Sequence, residues 1–180
     1  MKVENIILIG FMGSGKTSAG RLLAERLHYD FKDTDDMIGV LENTTIANIF
    51  RLHGEDYFRE LETNLLLSIK DSMKRTVLST GGGMPIRERN RKLLKEMGHV
   101  VFLRASCDTI IKRVSGDTSR PILKKGNLNE TVERLLAVRT PYYEEAADVI
   151  IDTDNKSIYR IVDEIIEIIK YNVYQKRKDD

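Results

Sequence analysis

The chain's 180 residues suffice for one ordinary domain and leave too little for two full cores. Hydrophobic residues make up 41% and charged residues 32%, a balance that builds a core under a soluble surface and excludes a disordered or collagen-like chain. Lys plus Arg number 29 against 28 Asp plus Glu, a net charge of +1, without the basic excess of a protein that neutralises a nucleic-acid backbone.

Residues 5–10 read as a first strand, and its apolar run is far too short for a secretory segment or a membrane span. Ala19, Leu22, Leu23 and Leu27 then share one helical face. A short second strand is expected at 30–33. Phe58, Leu61, Leu65 and Ile69 mark the buried face of a long helix, followed by strands at 76–80 and 99–104. Cys107, the one cysteine, cannot close an intramolecular disulfide, which suits a reducing cytoplasm; near a helix start it reads as packing. Residues 115–129 are charged and poor in apolar side chains, the profile of a functional lid. Arg139 stands just before Pro141, where a helix should end and from which the side chain can reach into a cleft. Tyr142 and Tyr143 are expected to be half-buried. A last strand at 148–152 precedes a stripe of Ile158, Ile161, Val162, Ile165, Ile166, Ile169 and Val173. The alternation predicts a single α/β domain over 1–180 with a parallel sheet covered on both faces. His28, His53 and His99 match no metal-ligand spacing and read as surface or helix-end residues.

The first strand runs into Gly10-Phe11-Met12-Gly13-Ser14-Gly15-Lys16-Thr17, which fits G-x-x-x-x-G-K-[ST] throughout. The glycines let backbone N–H groups turn inward around phosphate oxygens, and Lys16 adds a point charge. Thr17 offers a hydroxyl to Mg²⁺, and the helix starting there aims its positive end at the anion. Nucleotide binding follows. A switch GTPase does not, because the one Asn-Lys pair, Asn155-Lys156, continues as Ser157-Ile158 and makes no N-K-x-D.

Asp33 and Asp35 flank Thr34 at the end of the second strand. One can serve a metal through water while the other orients a substrate hydroxyl; the alternative is an acidic helix start. Arg59 lies next to the apolar stripe, as a ligand-binding cation or as a surface partner of Glu55 or Glu62. Gly81, Gly82 and Gly83 close the third strand, where a ligand of an open α/β sheet comes nearest the chain.

Taken together, G-x-x-G-x-G-K-T, D-T-D, F-R-x-x-E, T-G-G-G, R-P and R-x-P-Y-Y resemble the shikimate kinases, in that family's order and spacing over residues 6–151. The resemblance implies a five-stranded parallel sheet in the order 2-3-1-4-5, like the nucleoside monophosphate kinases. It carries a lid near 115–129 and a substrate-binding segment near 33–62. The implied activity is transfer of the γ-phosphate of ATP to the 3-hydroxyl of shikimate, with Mg²⁺. Lys16, Asp35 and Arg120 would be catalytic. Gly13, Ser14, Gly15, Lys16, Thr17, Ser18, Arg113, Arg120 and Lys156 would face ATP, and Thr17 and Asp33 the metal. Asp35, Arg59, Gly81, Gly82, Gly83 and Arg139 would hold shikimate, the two arginines on its carboxylate. Where family members often carry an adenine-stacking arginine, Lys156 keeps the charge without the planar face. A monomeric cytoplasmic enzyme without nucleic-acid or membrane partners is expected. The competing readings are a gluconate kinase, which the paired arginines disfavour, and a catalytically silent nucleotide-binding regulator.

Overall fold

The structure, a computed structural model, describes residues 5–115 and 127–179, with side chains as far as Tyr171. The strands are β1 (Asn5–Ile9), β2 (Asp30–Asp33), β3 (Thr76–Ser79), β4 (His99–Arg104) and β5 (Val149–Asp152). They form one parallel sheet in the order β2-β3-β1-β4-β5, as expected. The helices are α1 (Lys16–Leu27), α2 (Thr34–Leu41), α3 (Ile46–Ile69), α4 (Glu88–Met97), α5 (Cys107–Val114), α6 (Leu128–Ala146) and α7 (Ile158–Asp179).

All five residues of the central β1 are buried. Its side chains alternate between two cores, as the period of a strand requires. Ile7 and Ile9 enter a cluster with Phe58, Leu65 and Leu66 of α3, Leu94 of α4 and Val132 of α6. Ile6 and Leu8 enter the other, with Ala19 and Leu23 of α1 and Ile161, Val162 and Ile165 of α7. The predicted helical stripes are therefore the faces that cover the sheet. The described members of the α7 stripe that are not fully buried, Ile158, Ile166 and Ile169, still pack against this core.

One feature was not anticipated from the sequence and one departs from its expectation. Gly54 adopts φ 83°, ψ −179° inside α3 and breaks it into two arms, with open space where a Cβ would stand. Pro141 does not end its helix; α6 continues through it to Ala146. Proline leaves the carbonyl four residues back without its helical donor and crowds it. That carbonyl is Ala137 O, and the turn beyond the break is anchored by Tyr143 and Ala146, both 0% exposed. Burial outweighs the break. Most of the expected lid, 116–126 with Arg120, lies outside the described residues; at its far edge Leu128 and Asn129 already belong to α6.

Candidate active site

The C-terminal ends of β1, β2 and β3 open onto one cleft of about 390 Å³. Its lining includes Gly13, Gly15, Lys16, Thr17 and Ser18 from the phosphate loop, Asp33 and Asp35 from β2–α2, and Ser79, Thr80 and Gly82 from β3. The loop is a turn only glycine tolerates: Gly13 and Gly15 have φ 76° and 97°. A Cβ on Gly13 would also lie 2.7 Å from Val114 Cγ1. Because α1 begins at Lys16, its first-turn N–H groups face the cleft.

Lys16 is 8% exposed, and its Nζ donates to Gly10 O at 2.8 Å and Phe11 O at 2.9 Å. The ammonium is thus held on the rim of its own loop. Arg113 of α5 braces that loop and itself lines the cleft. Its Nη1 donates to Gly13 O and Ser14 O, and its Nη2 donates to Thr153 O beyond β5 at 3.1 Å. Lys156 is placed differently: its Nζ pairs with Glu164 at 2.6 Å, and it is not among the residues lining the cleft.

Thr17 Oγ1 donates to Asp33 Oδ2 at 3.1 Å, while Asp33 Oδ1 accepts from Asp35 N at 3.0 Å and caps α2. The acidic helix start is realised, and the same two aspartates line the cleft. Ser79 is the register partner of Asp33. It is 1% exposed, and its Oγ has no hydrogen-bond partner among the described residues.

Beyond Asp35 the cleft meets the glycine turn after β3. A Cβ on Gly81 would lie 2.6 Å from Asp35 Oδ1 and 2.9 Å from Glu62 Oε1. One on Gly83 would collide with the Arg59 guanidinium. The glycines therefore make room for the protein's own charged side chains as well as for any ligand.

Arg59 is 7% exposed, so it is no surface residue, yet it pairs with both predicted glutamates at 2.7 Å. Glu62 is 0% exposed. Burial pushes its carboxyl up to about 7 against the opposing pull of Arg59. Arg139 is likewise buried, with its guanidinium 5.6 Å from the Phe11 ring centroid. Tyr143, expected half-buried, is fully buried, and its hydroxyl donates to Gly82 O at 2.5 Å. Burial raises that hydroxyl to about 12, although Arg139 hydrogen-bonds to it and opposes the rise. Tyr142 is half-buried, under the Arg91 guanidinium. Arg59, Arg139, Asp35 and Glu62 thus surround one glycine turn.

Sequence reasoning left Glu62, Tyr143 and Ser79 without a role in the site. Glu62 was legible as the acidic end of F-R-x-x-E and Tyr143 as the second tyrosine after Pro141; nothing in the sequence marks the Ser79 hydroxyl. Cys107 packs beside the core with its thiol pushed up by burial. His28 ends α1 at φ 55°, His53 is exposed, and His99 lies 3.5 Å from Asp148. No three His, Cys, Asp or Glu among the described residues could jointly hold a metal ion.

A family model described as shikimate kinase matches residues 12–170. A shikimate kinase of Geobacter sulfurreducens is 44% identical over 167 residues, covering 93% of this chain and 91% of its own. The solved shikimate kinase from Acinetobacter baumannii in complex with shikimate is 38% identical with a TM-score of 0.90, covering 94% of each chain. A gluconokinase from Sinorhizobium meliloti, at 19% identity and a TM-score of 0.62 over 98% of this chain and 99% of its own, shares the fold alone.

Proposed function

The chain belongs to the shikimate kinase family, and from that premise we propose how its residues move the γ-phosphate of ATP to the 3-hydroxyl of shikimate. The observation that carries the reading is the pair of buried guanidiniums, Arg59 and Arg139, around the glycine turn after β3: Asp35 and the turn's Gly82 line the phosphate-loop cleft, and the two arginines lie behind them, outside its lining. A small hydroxy-acid offers a carboxylate to the first two and a hydroxyl to the third.

The loop from Gly13 to Ser18 presents N–H groups to the triphosphate, and Lys16 supplies positive charge where negative charge develops. Arg113 holds the loop's shape and faces the nucleotide. Lys156 and Arg120 belong to the same ATP-binding reading, Lys156 through charge alone and Arg120 as the catalytic arginine of a lid. Mg²⁺ fits the far wall. Thr17 Oγ1 and Asp33 Oδ2 are adjacent hard oxygen donors, and the buried Ser79 hydroxyl beside them lacks a partner. Those residues would hold the ion directly or through water, and bound there it would neutralise phosphate charge. Asp35 accepts the hydrogen bond of the attacking hydroxyl and takes its proton. Arg59 and Arg139 fix the carboxylate, and Gly81, Gly82 and Gly83 let the ring lie against the backbone.

No helix among the described residues is long and apolar enough to cross a membrane. A monomeric, cytoplasmic enzyme is the accompanying reading. The single cysteine, which cannot close an intramolecular disulfide, supports the cytoplasmic part of that reading.

ADP release measured with shikimate, with gluconate and without acceptor tests the assignment; turnover that gluconate supports as well as shikimate overturns it. Asp35→Asn should lower kcat by roughly 10²–10⁴-fold with little change in ATP affinity, since an amide cannot take the proton. Weakened ATP binding at unchanged kcat would move Asp35 to the metal side. Gly83→Ala should raise the shikimate KM several-fold and destabilise the fold by ~1–3 kcal/mol, because the added methyl displaces a guanidinium held between two carboxylates. An unchanged KM would place Arg59 outside the acceptor site.

A further inference from the structure

The Arg59 guanidinium is already engaged before any acceptor arrives. Its Nε and Nη2 both donate to Glu55 Oε1, at 3.2 and 2.7 Å, and its Nη1 donates to Glu62 Oε2 at 2.7 Å. Three of the five N–H groups an arginine carries are thus engaged, including the side-on fork that grips a carboxylate with two parallel bonds. The surrounding charges are equally crowded. Glu55, Glu62 and Asp35 face Arg59 and Arg139, and an anionic acceptor would bring a fourth carboxylate to two cations. Uncompensated charge in a buried site is costly, so a carboxylate must either take up a proton or give way, and a carboxylate that gives way also frees the Arg59 fork.

The three are not equally able to move. Glu62 is sealed in, with a side chain 0% exposed, and Asp35 is fixed on the first turn of α2. The Glu55 side chain is 56% exposed and stands directly after the Gly54 break, at the open start of the second arm of α3. Rotating it into water forfeits one half-exposed ion pair and desolvates nothing.

Resting on the reading of Arg59 as an acceptor clamp, we propose that Glu55 is a built-in surrogate for the acceptor's carboxylate. Its own carboxylate closes the Arg59 fork in the empty site and leaves when the acceptor binds. The exchange keeps a buried guanidinium paired on its open side at every stage. It also makes affinity a difference between two carboxylates competing for one fork, which lowers affinity for every carboxylate acceptor and leaves that for a neutral one untouched.

Glu55→Gln keeps the shape of the side chain and removes the competing charge. Shikimate binding without nucleotide, measured by calorimetry, should tighten about two- to fivefold in this variant, the worth of a half-exposed ion pair. Shikimate methyl ester, which carries no charge, should bind no more tightly than before. Unchanged or weaker shikimate binding overturns the surrogate and makes Glu55 a support for Arg59. An equal gain for the ester overturns it too, because the effect would not be competition between carboxylates. Arg59→Lys, measured beside it, keeps Glu62 paired and separates the premises. If Arg59→Lys leaves shikimate binding intact, the clamp itself is wrong. If it weakens binding and Glu55→Gln brings no gain, only the surrogate is.

Discussion

Lys16→Ala is expected to lower kcat at least about a hundredfold at saturating shikimate. Its ammonium is the one cation inside the phosphate loop, and a preorganised charge at developing phosphoryl charge is worth ~3–4 kcal/mol. The structure adds a second consequence. Nζ also bonds the carbonyls of Gly10 and Phe11, so the variant takes a donor from both, although Phe11 O keeps the Ser14 N–H at 3.2 Å. That costs about 1–3 kcal/mol, short of the ~5–15 kcal/mol that holds an ordinary domain folded. Circular dichroism should therefore show folded protein that turns over poorly, and coupled ADP release reads the rate. Turnover near that of the unmutated protein would remove the phosphate loop from the chemistry.

Much of the sheet was readable because most of its strands are short apolar runs bounded by charge or glycine; β2, Asp30-Phe31-Lys32-Asp33, lacks such a run. The helical faces were readable because burial on a sheet imposes a 3.6-residue period. The misjudged place is one where a local rule met a tertiary one. Pro141 is a helix breaker by its own chemistry, but Tyr143 beyond it is sealed into the core and tied to Gly82, which carries the helix past it. The break in α3 at Gly54 carried no expectation; only the turn between the two arms requires its positive φ.

The two ends of the site were legible to different depths. A phosphate loop is continuous in sequence, so its residues and its geometry are read together. The acceptor end is assembled from α2, α3, α6 and the turn after β3, and sequence spacing alone could not say whether Arg59 faces water or the interior. Helical spacing to Glu55 and Glu62 was a correct reading of the contacts. It was a poor guide to what losing one partner costs, because breaking a pair at i,i+3 costs a few tenths of a kcal/mol on a surface and about 3–5 kcal/mol when buried. Burial is the quantity the spacing does not contain.

That difference governs what Arg59→Ala should do. As a surface pair its loss would cost at most ~0.5 kcal/mol. Buried beside Glu62, its loss strands a carboxylate that is 0% exposed and should destabilise the fold by ~3–5 kcal/mol. The sign of the pH dependence follows from Glu62. Its carboxyl already sits at about 7, above the ordinary value of 4.5, and Arg59 is one of the groups pulling it down. Without Arg59 it rises further. A raised carboxyl costs stability progressively from its ordinary value of 4.5 up to its folded value and no further, so the variant's extra deficit grows only above about 7, where Glu62 of the unmutated protein titrates. Urea unfolding should therefore show a large deficit at pH 8 that shrinks towards pH 5. Adding Glu62→Gln should remove most of both the deficit and its pH dependence, because no charge is left to strand. It should not restore the acceptor. Loss of a charge-assisted contact of ~1.5–3 kcal/mol raises the shikimate KM roughly ten- to a hundredfold. That rise should persist in the double variant and be less than additive with Arg139→Ala, since both guanidiniums hold one anion. A double variant that regains stability and shikimate KM together would make Arg59 a purely structural partner of Glu62. A pH-independent deficit would mean that Glu62 is not the group left stranded.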